Sequence, residues 1–157
     1  MIQLDIDADE VRYIDLNIVK NDQHFFPGMA EDEGSASNDF THEPGVSREE
    51  ITRRYAQWAN SSKYEKDLRE EVYQGPSIAA DTVAHYFPDE NSRKTARILD
   101  VAAGSGFVGE KLKNKGFETI HALEPCGQML QLALEKGVYS KTFQNYLNGH
   151  ALDIESG

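Results

Sequence analysis

The chain has 157 residues, a single cysteine and a formal net charge of −11. That length fits about one domain, and one cysteine, Cys126, excludes a disulfide framework and a cysteine-rich zinc site, which points to a reducing compartment. No apolar run approaches the roughly 20 residues that span a bilayer, and the N-terminus lacks the basic start and apolar stretch of a signal peptide. The expectation is a soluble protein of the cytoplasm or nucleus with no membrane partner.

Residues 1–46 hold eleven of the acidic side chains against two basic ones, a net of −9 that leaves the remainder at −2. Such a segment, dense in Gly, Ser, Asn and Pro from Pro27 to Gly45, buries too little apolar surface to offset its ordering entropy, so residues 1–46 are expected to be largely disordered. Within it Ile2, Leu4 and Ile6 alternate as a strand does, and Val11, Ile14 and Val19 offer a short amphipathic piece. The nearly neutral remainder lacks the basic footprint of a dedicated nucleic-acid binder.

A capping box at Ser47 and Glu50 starts the ordered part, residues 47–157. Ile51, Tyr55, Trp58 and Ala59 then mark one face of a helix, interrupted at residues 60–62. Tyr64, Leu68 and Val72 form a second helical stripe that Gly75 and Pro76 close, and Ala79, Thr82, Val83 and Tyr86 form a third, ending at Phe87 and Pro88. These helices, residues 47–88, precede a polar connector at 89–94. Residues 98–102 read as a central parallel strand, apolar on both faces. A helix over 106–115 stops at Gly116, a strand follows at 119–123, a helix over 126–136 stops at Gly137, and residues 141–147 read as a third strand. The β-α-β-α-β order predicts an α/β chain with a right-handed, parallel, Rossmann-like half-sheet over residues 97–157. A doubly wound sheet needs a second half beyond its first strand, and no further element follows, so that strand is expected to be a bare apolar edge.

Between the first strand and its helix, Asp100-Val101-Ala102-Ala103-Gly104-Ser105-Gly106-Phe107-Val108-Gly109 carries two overlapping fingerprints. Gly104, Gly106 and Gly109 satisfy G-x-G-x-x-G, and Glu124 stands 18 residues beyond Gly106, where an acid accepts ribose hydroxyls. That is the NAD-dependent oxidoreductase reading. Asp100 argues against it, because a carboxylate repels a pyrophosphate and suits a cationic ligand. The five histidines lack metal-ligand spacing, and no G-x-S-x-G or H-E-x-x-H occurs. Cys126 starts a helix but has no base placed beside it, so no catalytic residue is singled out.

The stretch from Asp100 to Gly106 resembles the acid-and-glycine loop of class I S-adenosylmethionine-dependent methyltransferases, with Ala102 where the first glycine usually stands. Further elements, Tyr55 to Ala59, Tyr64 to Leu68, Tyr73 to Pro76, Gly116-Phe117, Leu123-Glu124-Pro125 through Leu130 and Lys136 to Tyr139, resemble the methyltransferase-like proteins of the Williams-Beuren syndrome region. The resemblance implies a seven-stranded fold, a helical cap that includes Tyr55, Trp58 and Tyr64, and S-adenosylmethionine as methyl donor to an unidentified acceptor. It further implies that Asp100, Ala102, Ala103, Gly104, Ser105 and Gly106 cradle the methionine part, that Glu124 takes the ribose hydroxyls, and that Pro125 to Gln128, Cys126 included, flank the adenine. The acid often found after the third strand is absent, Asn145 being the nearest substitute and Asp153 a more distant one. The resemblance also predicts four more strands, so the chain reads as C-terminally truncated. Its own activity is left open, with a non-catalytic binding module as the other alternative.

Overall fold

The computed structural model describes residues 2–7, 10–14, 39–61 and 63–147. Five strands form one mixed sheet: β1 (Ile2–Asp7), β2 (Glu10–Ile14), β3 (Arg97–Val101), β4 (Thr119–Leu123) and β5 (Lys141–Phe143), in the order β2-β1-β3-β4-β5. The last three are parallel, with Leu99 opposite His121 and His121 opposite Lys141, as a partial Rossmann-like half-sheet requires. The expected bare edge does not exist. β1 pairs antiparallel with β3, setting Ile2 opposite Asp100 and Leu4 opposite Ile98, and β2 pairs antiparallel with β1. Backbone groups on a free edge bind any extended segment within reach, and the alternating start of the chain supplies one. So the acidic segment is not disordered throughout, while Val19 and residues 15–38 lie outside the described residues.

The helices among the described residues include α1 (Arg48–Asn60), α2 (Tyr64–Asp67), α3 (Gly75–Tyr86), α4 (Glu90–Thr95), α5 (Phe107–Asn114) and α6 (Gly127–Glu135). Ser47 caps α1 as its spacing predicts, its hydroxyl accepting the Glu50 N–H at 3.2 Å. Four sequence expectations are corrected. The second stripe is helical only from Tyr64 to Asp67, and in the turn that follows Glu70 meets Lys111 of α5 at 2.6 Å and accepts the Ser77 hydroxyl at 3.1 Å. Gly75 and Pro76 open α3 rather than closing α2, since proline's fixed φ and missing N–H suit a first helical turn. The polar connector is α4, started by Asp89, whose carboxylate accepts the Ser92 N–H at 2.9 Å. The third strand ends at Phe143, short of Leu147.

Helices α3 and α5 cover one face of β3 and β4. There Val83, Phe87, Leu112 and Phe117 bury Ile98 and Ile120, and α6 adds Leu130 against Ala122 on the same face. Leu99, Val101 and Leu123 cluster with Phe143 on the other face. The core therefore grips β3 and β4 from both sides and fixes the loops that leave their C-terminal ends. Among the described residues no helix is long and apolar enough to cross a membrane.

Candidate functional site

The loop after β3 is knitted to the ends of its neighbours. Ala102 and Ala103 donate their N–H groups to the Leu123 carbonyl at 2.8 and 3.3 Å, Gly106 donates to Ala103 at 3.0 Å, and Glu124 donates to the Phe143 carbonyl at 3.0 Å. Three of the five loop residues take positive φ: Ala102 at 59°, Gly104 at 57° and Gly106 at 89°. Two are glycines, which adopt that region freely, but Ala102 carries a Cβ against the next carbonyl, at a cost of about 1–2 kcal/mol. Ala102→Gly is therefore expected to stabilise the fold by about 0.5–1 kcal/mol, after subtracting the greater freedom of glycine in the unfolded chain. A higher urea midpoint at unchanged slope would register it.

Glu124 is the centre of the arrangement. Its side chain is buried and bridges two loops: Oε2 accepts the Gly104 N–H at 2.9 Å and Oε1 accepts the Cys126 N–H at 2.9 Å. In front of it lies a cavity of about 300 Å³. Ala102, Gly104, Glu124, Pro125, Cys126 and Met129 line its sheet side, and Ile51, Tyr55 and Tyr64 line its helical side. At its mouth stand Arg48, Thr52 and Tyr146, where the Thr52 and Tyr146 hydroxyls meet at 2.7 Å.

The helical side is an aromatic stack. Tyr64 lies parallel to Phe107, the first residue of α5, with ring centroids 6.2 Å apart, and meets Trp58 edge-on at 4.8 Å. The Trp58 indole N–H donates to Asp67 at 2.9 Å, which ties α1 to α2. Tyr64 also covers the loop: a Cβ added at Gly104 would stand 3.3 Å from its hydroxyl oxygen. Burial pushes the Tyr55 and Tyr64 hydroxyls well above the usual phenol range, with the Glu124 charge adding to the same effect, so both stay neutral. Burial likewise raises the Cys126 thiol, which removes the thiolate a nucleophile needs.

Asp100 sits elsewhere. It is 3% exposed, does not line the cavity, and accepts the Tyr139 hydroxyl at 2.8 Å. The Tyr139 ring reaches it by crossing the face of α5, where it lies 3.1 Å from a Cβ built at Gly106 and overlaps one built at Gly109. The third glycine of G-x-G-x-x-G thus makes room for a tyrosine of this chain. Burial, then the Asp100 charge, raises the Tyr139 hydroxyl far above its ordinary value.

Of the residues singled out by sequence, the structure brings Ala102, Gly104, Glu124, Pro125 and Cys126 together on the cavity. Ala103, Ser105 and Gly106 form the buried side of the same loop, and the Ser105 hydroxyl has no partner there. Tyr55 and Tyr64 reach the cavity, whereas Trp58 braces them from behind. Gln128 is exposed and does not line it. Asn145 is exposed and accepts the N–H of Tyr146 at 2.8 Å, and Asp153 lies outside the described residues. Arg48, Thr52 and Tyr146 were not legible as site residues, because their meeting depends on α1 lying across the end of the sheet.

No family model matches the chain, and no solved structure matches it. Over 87 residues, 55% of its length, it is 32% identical to human methyltransferase-like protein 27. The match spans about a third of that relative, 34% of its length. This similarity points to a methyltransferase family and leaves substrate and activity open.

Proposed function

We propose that the cavity in front of Glu124 binds the nucleoside end of S-adenosylmethionine, and that the chain is the donor-binding part of a methyltransferase. The observation that carries this reading is the Glu124 carboxylate, held at the end of β4 by two backbone N–H groups and facing an aromatic-capped cavity. A carboxylate so fixed is a rigid acceptor for two adjacent hydroxyls, as a ribose presents. Pro125, Cys126 and Met129 offer a largely apolar wall for an adenine beside it. Ala102 to Gly106 pass beneath the remainder of the donor, with Asp100 behind them.

The bound donor supplies an electrophilic methyl group on a sulfonium. The residues of this chain bind it, orient it and exclude water. Positioning in a dry site provides most of the rate in such a transfer, so no dedicated acid or base is required of the chain. Neutral Tyr55 and Tyr64 present O–H groups and ring faces without adding charge near the sulfonium.

Two contacts weigh against NAD. The Gly104 N–H, which a pyrophosphate would need, is already given to Glu124, and Tyr64 occupies the space above that loop. Gly109, required by the dinucleotide fingerprint, is accounted for by Tyr139. Calorimetric titration of the 157-residue chain is expected to give saturable binding of S-adenosylhomocysteine and none of NAD; binding of NAD alone would replace this reading with the oxidoreductase one. The kinship with the Williams-Beuren region proteins belongs to the same proposal, and the acceptor is unassigned.

A further inference from the structure

One side chain outside the cavity joins its helical wall to the two helices behind it. Lys136 follows α6 and is 16% exposed, with its ammonium placed between two carboxylates on different elements: Glu65 of α2 at 3.0 Å and Glu110 of α5 at 2.9 Å. The same ammonium lies 4.9 Å from the centroid of the Phe107 ring, the ring on which Tyr64 stacks. The two carboxylates outweigh desolvation and hold the Lys136 pKa above its ordinary value, so the charge is always present. Helix α2 has only four residues, too short to hold its own shape, and on its other flank it is tied to α1 by the Trp58–Asp67 hydrogen bond. Its placement against α5 and α6 therefore depends on side-chain contacts, of which Lys136–Glu65 is the ion pair made by α2 itself, beside the Glu70–Lys111 pair in the turn that follows.

We propose that Lys136 is a positioning residue, an electrostatic latch that holds α2 and so keeps Tyr64 closed over Gly104 and the cavity. When Glu65 leaves Lys136, α2 can swing away from α5, with Tyr64 leaving Phe107 and Gly104. The wall that stays behind, α5 with Glu110 and α6 with Cys126, keeps its packing on the sheet. The latch admits and releases the cavity's ligand whatever that ligand is, so it stands apart from the methyl-donor reading.

Cys126 supplies a ligand-free readout. It is the only cysteine, is 1% exposed, lines the cavity and packs beneath Tyr55 and Tyr64. Its reaction with an uncharged thiol reagent such as N-ethylmaleimide, whose encounter with the acidic chain carries no charge repulsion for salt to screen, therefore reports how often the helical wall opens. In the full chain, Lys136→Met keeps the aliphatic stem and is expected to speed the reaction about three- to tenfold, the effect of losing two partly exposed ion pairs and one cation–ring contact. Glu65→Gln should speed it as well, and the Lys136→Met/Glu65→Gln pair should be no faster than Lys136→Met alone. Sodium chloride at 1 M, which cuts the screening length to about 3 Å, should accelerate the unaltered chain and leave Lys136→Met unchanged. A merely structural role would lower the melting temperature without this shared, salt-dependent change in rate. Lys136→Met reacting at the unaltered rate, or an additive double variant, would overturn the latch, and the salt response of the unaltered chain decides the matter even if a variant folds poorly.

Discussion

Replacing Gly109 with alanine is expected to destabilise the protein by about 2–4 kcal/mol, although alanine is the better helix former by about 1 kcal/mol in an exposed helix. The new methyl would occupy the volume of the Tyr139 phenol, with even the ring's Cε1 only 2.8 Å away. Tyr139 cannot yield cheaply, because its hydroxyl holds the buried Asp100 carboxylate at 2.8 Å. Overpacking at such a site accounts for about 1–3 kcal/mol, and pulling the donor away from a buried carboxylate adds about 1–3 kcal/mol more. Chemical denaturation of Gly109→Ala measures the total. Tyr139→Leu, which empties the slot, should make the alanine nearly neutral when the two are combined, by more than about 1 kcal/mol of coupling. An additive pair would mean that Gly109 serves something other than Tyr139.

Glu124→Gln is expected to abolish binding of S-adenosylhomocysteine while lowering stability by about 1–3 kcal/mol. The carboxylate accepts from two buried N–H groups, one on each oxygen. An amide has one accepting oxygen, so whichever way it turns, its own NH₂ faces either Gly104 or Cys126 and one backbone donor is left unpaired. The loops that Glu124 holds together would then separate at the floor of the cavity. Glu124→Ala leaves both donors unpaired and should be the less stable of the two variants. Paired melts and titrations tell a folded, non-binding protein from an unfolded one. Retained binding in a folded Glu124→Gln protein would remove Glu124 from the site.

The parallel strands and the loop between them were legible because their signals are local. Ile98 to Val101 is a β-branched and aliphatic run, and the helix after it keeps its apolar spacing through Leu112 and stops at Gly116. Glu124 was legible from its distance to the glycines. What it does there was not, since its two donors lie on a loop 20 residues back and on the residue two ahead. The charge argument singled out Asp100, and what it did not show is the contact with Tyr139, 39 residues away, whose hydroxyl Asp100 accepts. Composition made the N-terminal segment look unstructured, and only the free edge of β3, a property of the folded sheet, explains why Ile2 to Asp7 pairs. The Gly75-Pro76 pair carried a true boundary signal whose direction was ambiguous: glycine ends helices and proline begins them, and here the proline decides. Apart from that local ambiguity, what stayed hidden was chiefly contact between distant parts of the chain.

The central claim is that a nucleoside-bearing methyl donor sits against Glu124. The most direct measurement is the amide proton–nitrogen spectrum of the full chain during addition of S-adenosylhomocysteine, read at the Gly104 and Cys126 N–H groups that share that carboxylate. Both resonances are predicted to shift together and saturate, with NAD leaving them in place; S-adenosylhomocysteine that leaves both unmoved at millimolar concentration would contradict the account.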